Sequence, residues 1–246
     1  MTTSAGDSSA VREPSREEGD TPHHGFQGNR QERESAVVVP AALTIALARE
    51  AGARGGTIAR RVARKLNWQV YDQDLLEYMS QDTVVRQGIF DSLTVAANDW
   101  VESSLETLLR DQNLTQHPSI LNLARVVLAL GAQGEVVLIG RGAGFILPRA
   151  STLHVRMMAP LKERIAYMSQ WLRMPVQEAA EKVRTRDAGR AEFISTHFHR
   201  QPGDIHQYDM LLNTSLLGEE TCSSLIAQAA RARSLAFQPE SAEDFA

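Results

Sequence analysis

The strongest chemical signal in this sequence lies between an apolar run, Leu43 to Leu47, and an amphipathic stretch, where Gly52-Ala53-Arg54-Gly55-Gly56-Thr57 forms a glycine-rich turn. Glycine lets the backbone aim successive N–H groups inward as a nest. A helix starting at once adds unpaired N–H groups and the positive end of its dipole at the same point. Such a turn suits a phosphate held mainly by backbone. In the usual string for this job, GxxxxGK[ST], a lysine reaches the outer phosphates and a hydroxyl serves Mg2+. Here the turn has no lysine, and Lys65 lies about two helical turns further on, out of reach. Arg49 and Arg54 are the cations at hand, and Arg54 is the first candidate to act in the lysine's place. Arginine presents a planar fork to phosphate oxygens but is bulkier, so binding can survive where transfer is altered. Thr57 is the candidate hydroxyl for Mg2+. The competing reading is an ordinary strand-to-helix turn in which glycine only permits a tight bend.

A second basic group sits in VRTRDAGRAEF, with Arg184, Arg186, Asp187 and Arg190 on one helical stretch. Arg186 and Arg190 are four apart, so they share a face and can converge on one phosphate chain. Asp187 is suited to orient an arginine. The alternative is a solvated, charged helix face. His197, His199 and His206 lack a nearby acid pair and read as surface rather than metal ligands, as do the adjacent His23 and His24.

These groups need a scaffold, and the pattern supplies one. Short apolar runs alternate with longer segments of helical period, the signature of a parallel sheet with helices on both faces. Strands are expected at 43–47, 69–71, 136–139, 153–158 and 210–213, with the first, third and fifth central because they are nearly continuous in apolar residues. Helices are expected at 56–66, 93–110, 120–131, 161–172, 175–198 and 219–236. Trp100, Trp171 and the stripe Leu105, Leu108, Leu109 read as core.

Of 246 residues, 43% are hydrophobic and 23% charged, which suits one α/β domain with loose ends. Residues 1–36 carry almost no large apolar side chain and read as a disordered tail, 37–236 as the domain, and 237–246 as a flexible end. A net charge of -4 gives no global reason to expect nucleic acid or an anionic membrane as partner, so any polyanion site is local. One cysteine, Cys222, excludes an internal disulfide and suits a reducing compartment. No apolar run is long enough to span a bilayer and no leader is visible, so a cytoplasmic location is expected.

Over residues 42–235 the chain resembles the cytidylate kinase-like family. ALAREAGARGGTIA is similar to that family's SREYGSGGREIA-like loop, which also lacks the lysine. VYDQDLL (70–76) resembles its YDxELI strand end, VLIGRGAGFIL the segment written GRDxGT in true cytidylate kinases, and YDMLLNTSLLGEET (208–221) the final strand with its adenine-proximal turn. The resemblance implies a doubly wound, three-layer P-loop kinase sheet of five parallel strands with a helical lid over about 174–207. It implies transfer of the γ-phosphoryl group of ATP, with Mg2+, to a nucleoside monophosphate such as CMP or dCMP. On that basis Arg49, Gly52, Ala53, Gly55, Gly56 and Thr57 would hold the donor, while Arg54, Arg141, Arg186 and Arg190 would serve transfer. Asp72, Asp74, Arg141 and Asp187 would face the acceptor, with Arg141 on its phosphate. Gly142 stands where the family motif has aspartate, which departs from the pattern for cytidine selectivity. Two other readings stay open: a nucleotide-binding regulatory protein with little transferase activity, whose N-terminal tail binds a protein partner, and a kinase of another small metabolite.

Overall fold

The computed structural model describes residues 39–237. The two tails expected to be disordered, and His23 and His24, lie outside the described residues except for Phe237. In chain order the elements are β1 (Thr44–Arg49), α1 (Gly55–Leu66), β2 (Gln69–Tyr71), α2 (Gln73–Gln81), α3 (Thr83–Asp91), α4 (Val95–Arg110) and α5 (Pro118–Gln133). They continue with β3 (Val136–Ile139), α6 (Ala143–Ile146), β4 (Thr152–Met158), α7 (Leu161–Leu172), α8 (Val176–Phe198), β5 (Met210–Asn213) and α9 (Thr214–Ala236).

All strand pairs are parallel, in the order β2-β3-β1-β4-β5. Alternate side chains of the inner strands feed two separate cores, as the period of two requires. Leu43, Ile45, Leu47, Val137, Ile139, Leu153, Val155 and Met157 face α1 and α9, packing on Ile58, Val62, Cys222 and Ile226. Ala46, Val136 and Leu138 face the other way, toward α2, α4, α5 and α6. Each fully buried large apolar side chain contributes about 1.5–3 kcal/mol, and both faces carry many. The three-layer, doubly wound, five-stranded sheet is therefore as expected. β5 is not a central strand, however: it pairs with β4 alone at the sheet edge and is only partly buried. Its apolar run therefore lies at an edge, where of its four residues only Leu212 is buried.

Three helices escaped the sequence pattern: α2, α3 and the single-turn α6. α2 and α3 are nine residues each, started by Asp72 and Asp82, whose carboxylates accept from the first-turn N–H groups. α3 has no fully buried residue, so its apolar period is weak. α9 changes direction at Gly218 (φ 75°), which is why its periodic part begins near Glu219. Among the described residues no helix is long and apolar enough to cross a membrane.

Topology places the site. β1 leads into α1 on one face, whereas the neighbouring β3 leads into α6 on the other. Where adjacent strands send their connections to opposite faces, a crevice opens at the carboxyl ends. α8 lies across this crevice, anchored by Ala179 and Val183 on Met168 and Ala51, and by Phe198 in the opposite core.

Candidate functional site

The crevice holds a cavity of about 500 Å³ and, beside it, an outer hollow of about 320 Å³ over the β1–α1 loop. Six arginines line the inner cavity: Arg49, Arg60, Arg141, Arg156, Arg186 and Arg190. The carboxylates lining it are Asp72 and Asp74. Arg49, Arg60, Arg186, Arg190 and Gly56 border both hollows, so the two spaces meet at cations.

Arg49 is central to this cluster. It ends β1, and its stem packs so tightly on Gly55 that a Cβ there would lie 2.9 Å from the Arg49 Cβ and Cδ. Its guanidinium passes over Gly140, where a Cβ would lie 2.5 Å from Nη1, and Gly140 holds φ +81°. Burial, with Arg190 beside it, pulls Arg49 well below the usual arginine range, to about 10, against the attraction of Asp72 and Asp74. Arg190 is lowered too, chiefly by burial, and donates from Nη1 to the Arg49 carbonyl at 3.2 Å. Neither Arg49, Arg186 nor Arg190 has an ion-pair partner among the described residues. Guanidinium groups crowded in this way call for a polyanion.

Arg141 follows β3 at φ 51°, pairs with Glu77 of α2, and lies 5.1 Å over the Phe193 ring of α8. Its Nε is buried without a partner among the described residues. Arg156 of β4 reaches the Tyr208 hydroxyl at 3.3 Å and Glu50 at 3.6 Å. Deeper still, His154 donates from Nδ1 to the Gln207 carbonyl (2.9 Å), and burial pushes it down to about 4, so it is neutral at pH 7. Phe145 and Tyr208 pack on its ring.

The glycine turn behaves as a helix start. Arg54 adopts the left-handed conformation (φ 57°) as N-cap, no side chain caps α1, and no acidic residue occupies its first turn. The N–H groups of Gly55 and Gly56 have no partner among the described residues and remain for an anion. Ala53 is buried and donates to the Glu50 carbonyl at 3.2 Å. Gly52 has a packing reason of its own: at φ +79°, a Cβ there would lie 2.5 Å from the Arg164 carbonyl oxygen. Thr57 borders the outer hollow.

Three expectations change. Arg54 borders the outer hollow but not the inner cavity, with its guanidinium 4.9 Å over the Tyr167 ring; Arg49, not Arg54, stands where the hollows meet. Asp187 lines neither hollow. It accepts from the Ala51 N–H at 2.7 Å and from Arg164 Nη1 at 2.5 Å, so it latches α8 to the loop through an arginine. Trp171, read as core, is 64% exposed at the outer hollow, because α7 leaves that end uncovered. Asp72 and Asp74 do reach the inner cavity, although one oxygen of Asp72 is engaged in capping α2. His197 binds the Thr115 hydroxyl at 3.2 Å, and among the described residues no three His, Cys, Asp or Glu groups could hold a metal together.

Sequence reasoning missed Arg60, Arg156, Glu77, His154 and Tyr208. Arg60 falls one turn beyond Gly56 and was legible from spacing; Arg156 and His154 alternate with the buried Val155 on β4, which only the observed strand order makes meaningful.

A 2-3-1-4-5 parallel sheet with an arginine-lined crevice at its carboxyl ends defines a doubly wound α/β protein with a cationic cleft. Residues 44–216 match the model of the cytidylate kinase-like family, and the chain belongs to that family. It is similar to a cytidylate kinase of Methanopyrus kandleri, at 26% identity over 39% of this chain and 55% of that one. A uronate isomerase of Corynebacterium glutamicum is 28% identical over 42% of this chain and 20% of its own length. The chain thus spans about a fifth and about half of these two relatives. An uncharacterized protein of Eubacterium ventriosum has the same fold, with a TM-score of 0.61 at 15% identity over 77% of this chain and 98% of that one.

Proposed function

We propose that this chain transfers the γ-phosphoryl group of ATP to a nucleoside monophosphate of the CMP or dCMP kind. The observation that carries this reading is the meeting of two hollows at Arg49, Arg186 and Arg190. A donor in the outer hollow lays its phosphates on the Gly55 and Gly56 N–H groups. An acceptor in the inner cavity sets its phosphate against Arg141, held by Glu77, with Asp72 and Asp74 toward its sugar. The acceptor's phosphate oxygen then attacks the γ-phosphorus in line, the bond to the β-bridging oxygen breaks, and ADP leaves. Arg49, Arg186 and Arg190 meet the charge on the transferring group, the largest contribution protein makes to such a reaction.

Mg2+ fits as an ion brought by the triphosphate, since it needs few protein ligands and the Thr57 hydroxyl borders the donor side. Bound there, it would neutralise donor phosphate charge. α8 covers the crevice and limits water, the competing acceptor. The cytoplasm, which holds these nucleotides and keeps thiols such as Cys222 reduced, is the compartment this reading requires.

A second reading, nucleotide binding with little transfer, is favoured by the Asp187 carboxylate on the Ala51 N–H, where the loop would otherwise receive phosphate. A coupled assay with ATP, Mg2+ and each nucleoside monophosphate decides. Turnover with CMP or dCMP above the other acceptors is expected; nucleotide binding with no turnover on any acceptor selects the second reading.

A further inference from the structure

Phosphate binding leaves part of the outer hollow unexplained. Trp171 stands at its rim with 64% of its surface exposed. Its ring is stacked with that of Tyr167, four residues earlier on α7, at 6.1 Å between centroids and 15° between planes. Arg54, the N-cap of the phosphate-binding helix, holds its guanidinium 4.9 Å over the same Tyr167 ring. Both aromatic rings therefore border the one hollow that also contains Gly55, Gly56 and Thr57. A large indole normally finds apolar cover, and at binding surfaces it receives it from the ligand.

We infer that Trp171, backed by Tyr167, is the stacking platform for the nucleobase of the phosphoryl donor, and that it grips the base by its face without reading its edge. The inference rests on the outer hollow being the donor side, as proposed above. Beside the platform in the hollow stand Met168 and Leu172, which offer no group to read a donor–acceptor pattern, and Arg54, whose guanidinium lies over the Tyr167 ring. Stacking tolerates any base because every base has a π-face. The turn after β5, which the family resemblance sets beside adenine, borders neither hollow. The Asn213 side chain there is engaged in capping α9, accepting from the Ser215 and Leu216 N–H groups and from the Ser215 hydroxyl. The base is thus carried by α7, next to the turn into α8, and ATP and GTP serve equally, ahead of pyrimidine donors with their smaller faces.

Isothermal titration of the full chain with Mg-ATP, Mg-GTP and Mg-tripolyphosphate tests this, using wild type, Trp171→Ala and Trp171→Phe. The exposure of Trp171 makes the alanine variant safe for folding, which its circular dichroism checks. The expected result is that Trp171→Ala weakens both nucleotides roughly 5- to 100-fold, leaves tripolyphosphate unchanged, and is largely restored by phenylalanine. Nucleotide affinity unchanged in Trp171→Ala, or wild-type ATP binding no tighter than tripolyphosphate, overturns the platform while the phosphate site stands. A wild-type protein that prefers ATP to GTP by more than tenfold overturns the claim that the edge is unread. If wild type binds neither nucleotide nor tripolyphosphate, the donor site itself falls and the platform with it.

Discussion

Arg49→Met separates what the site does from what the fold needs. The guanidinium is drawn well below the usual arginine range, to about 10, by burial and by Arg190. At about 1.4 kcal/mol per pH unit, the empty protein disfavours the charged form by about 3 kcal/mol. Water entering the open cavity screens part of that, leaving roughly 1–3 kcal/mol. The sign is that of a base lowered on folding: below pH 10 the penalty is present in full, and it fades only as pH rises toward the ordinary arginine value. At pH 7, therefore, the charge destabilises the unliganded fold. Methionine keeps the stem that packs on Gly55 and removes the charge. The variant should melt higher by roughly 2–10 °C. With Mg-ATP the order should invert: a ligand at about 100 times its Kd stabilises wild type by about 2.7 kcal/mol, and the variant gains little. Paired thermal melts with and without ligand measure both effects. A variant that melts lower than wild type, yet gains as much from Mg-ATP, would refute the view of Arg49 as an uncompensated anion ligand.

Gly52→Ala should lower stability by about 2–4 kcal/mol, because its Cβ meets the Arg164 carbonyl at a left-handed φ; a wild-type urea midpoint contradicts this. Asp187→Asn weakens the link to Arg164 and to the Ala51 N–H and should cost about 1–3 kcal/mol. It should also speed amide exchange at Ala51, and unchanged exchange there would dismiss the latch. His154, lowered to about 4, favours its neutral form in the fold, so its contribution is level above pH 6.5 and falls as pH drops toward 4. Between pH 7 and pH 4.5 it should remove roughly 2 kcal/mol. His154→Asn should flatten that part of the stability profile, and an unaltered slope would count against the burial.

How legible the molecule was depended on whether a signal was local. β1 and β3 were readable because buried parallel strands are nearly continuous in apolar residues. β5 misled because its apolar residues look the same at a sheet edge. α2 and α3 escaped because their evidence is in the caps, and an Asp72 beside a strand end reads as a ligand as readily as a cap. The arginines of the loop and of α8 could be found from position and spacing. Arg156 and His154 could not, since strand order decides which face of β4 meets the crevice. Glu77 and Asp187 acquire their roles only from the residues that the fold brings to them, Arg141 and Arg164.

The central claim is that backbone N–H groups at the mouth of β1, with arginines converging from β1 and α8, hold a triphosphate where no lysine is available. Amide hydrogen exchange on the full chain, with and without Mg-ATP, tests it at the atoms concerned. The account predicts strong added protection at Gly55 and Gly56 in the presence of nucleotide. Saturating nucleotide with exchange at those two amides unchanged would contradict it.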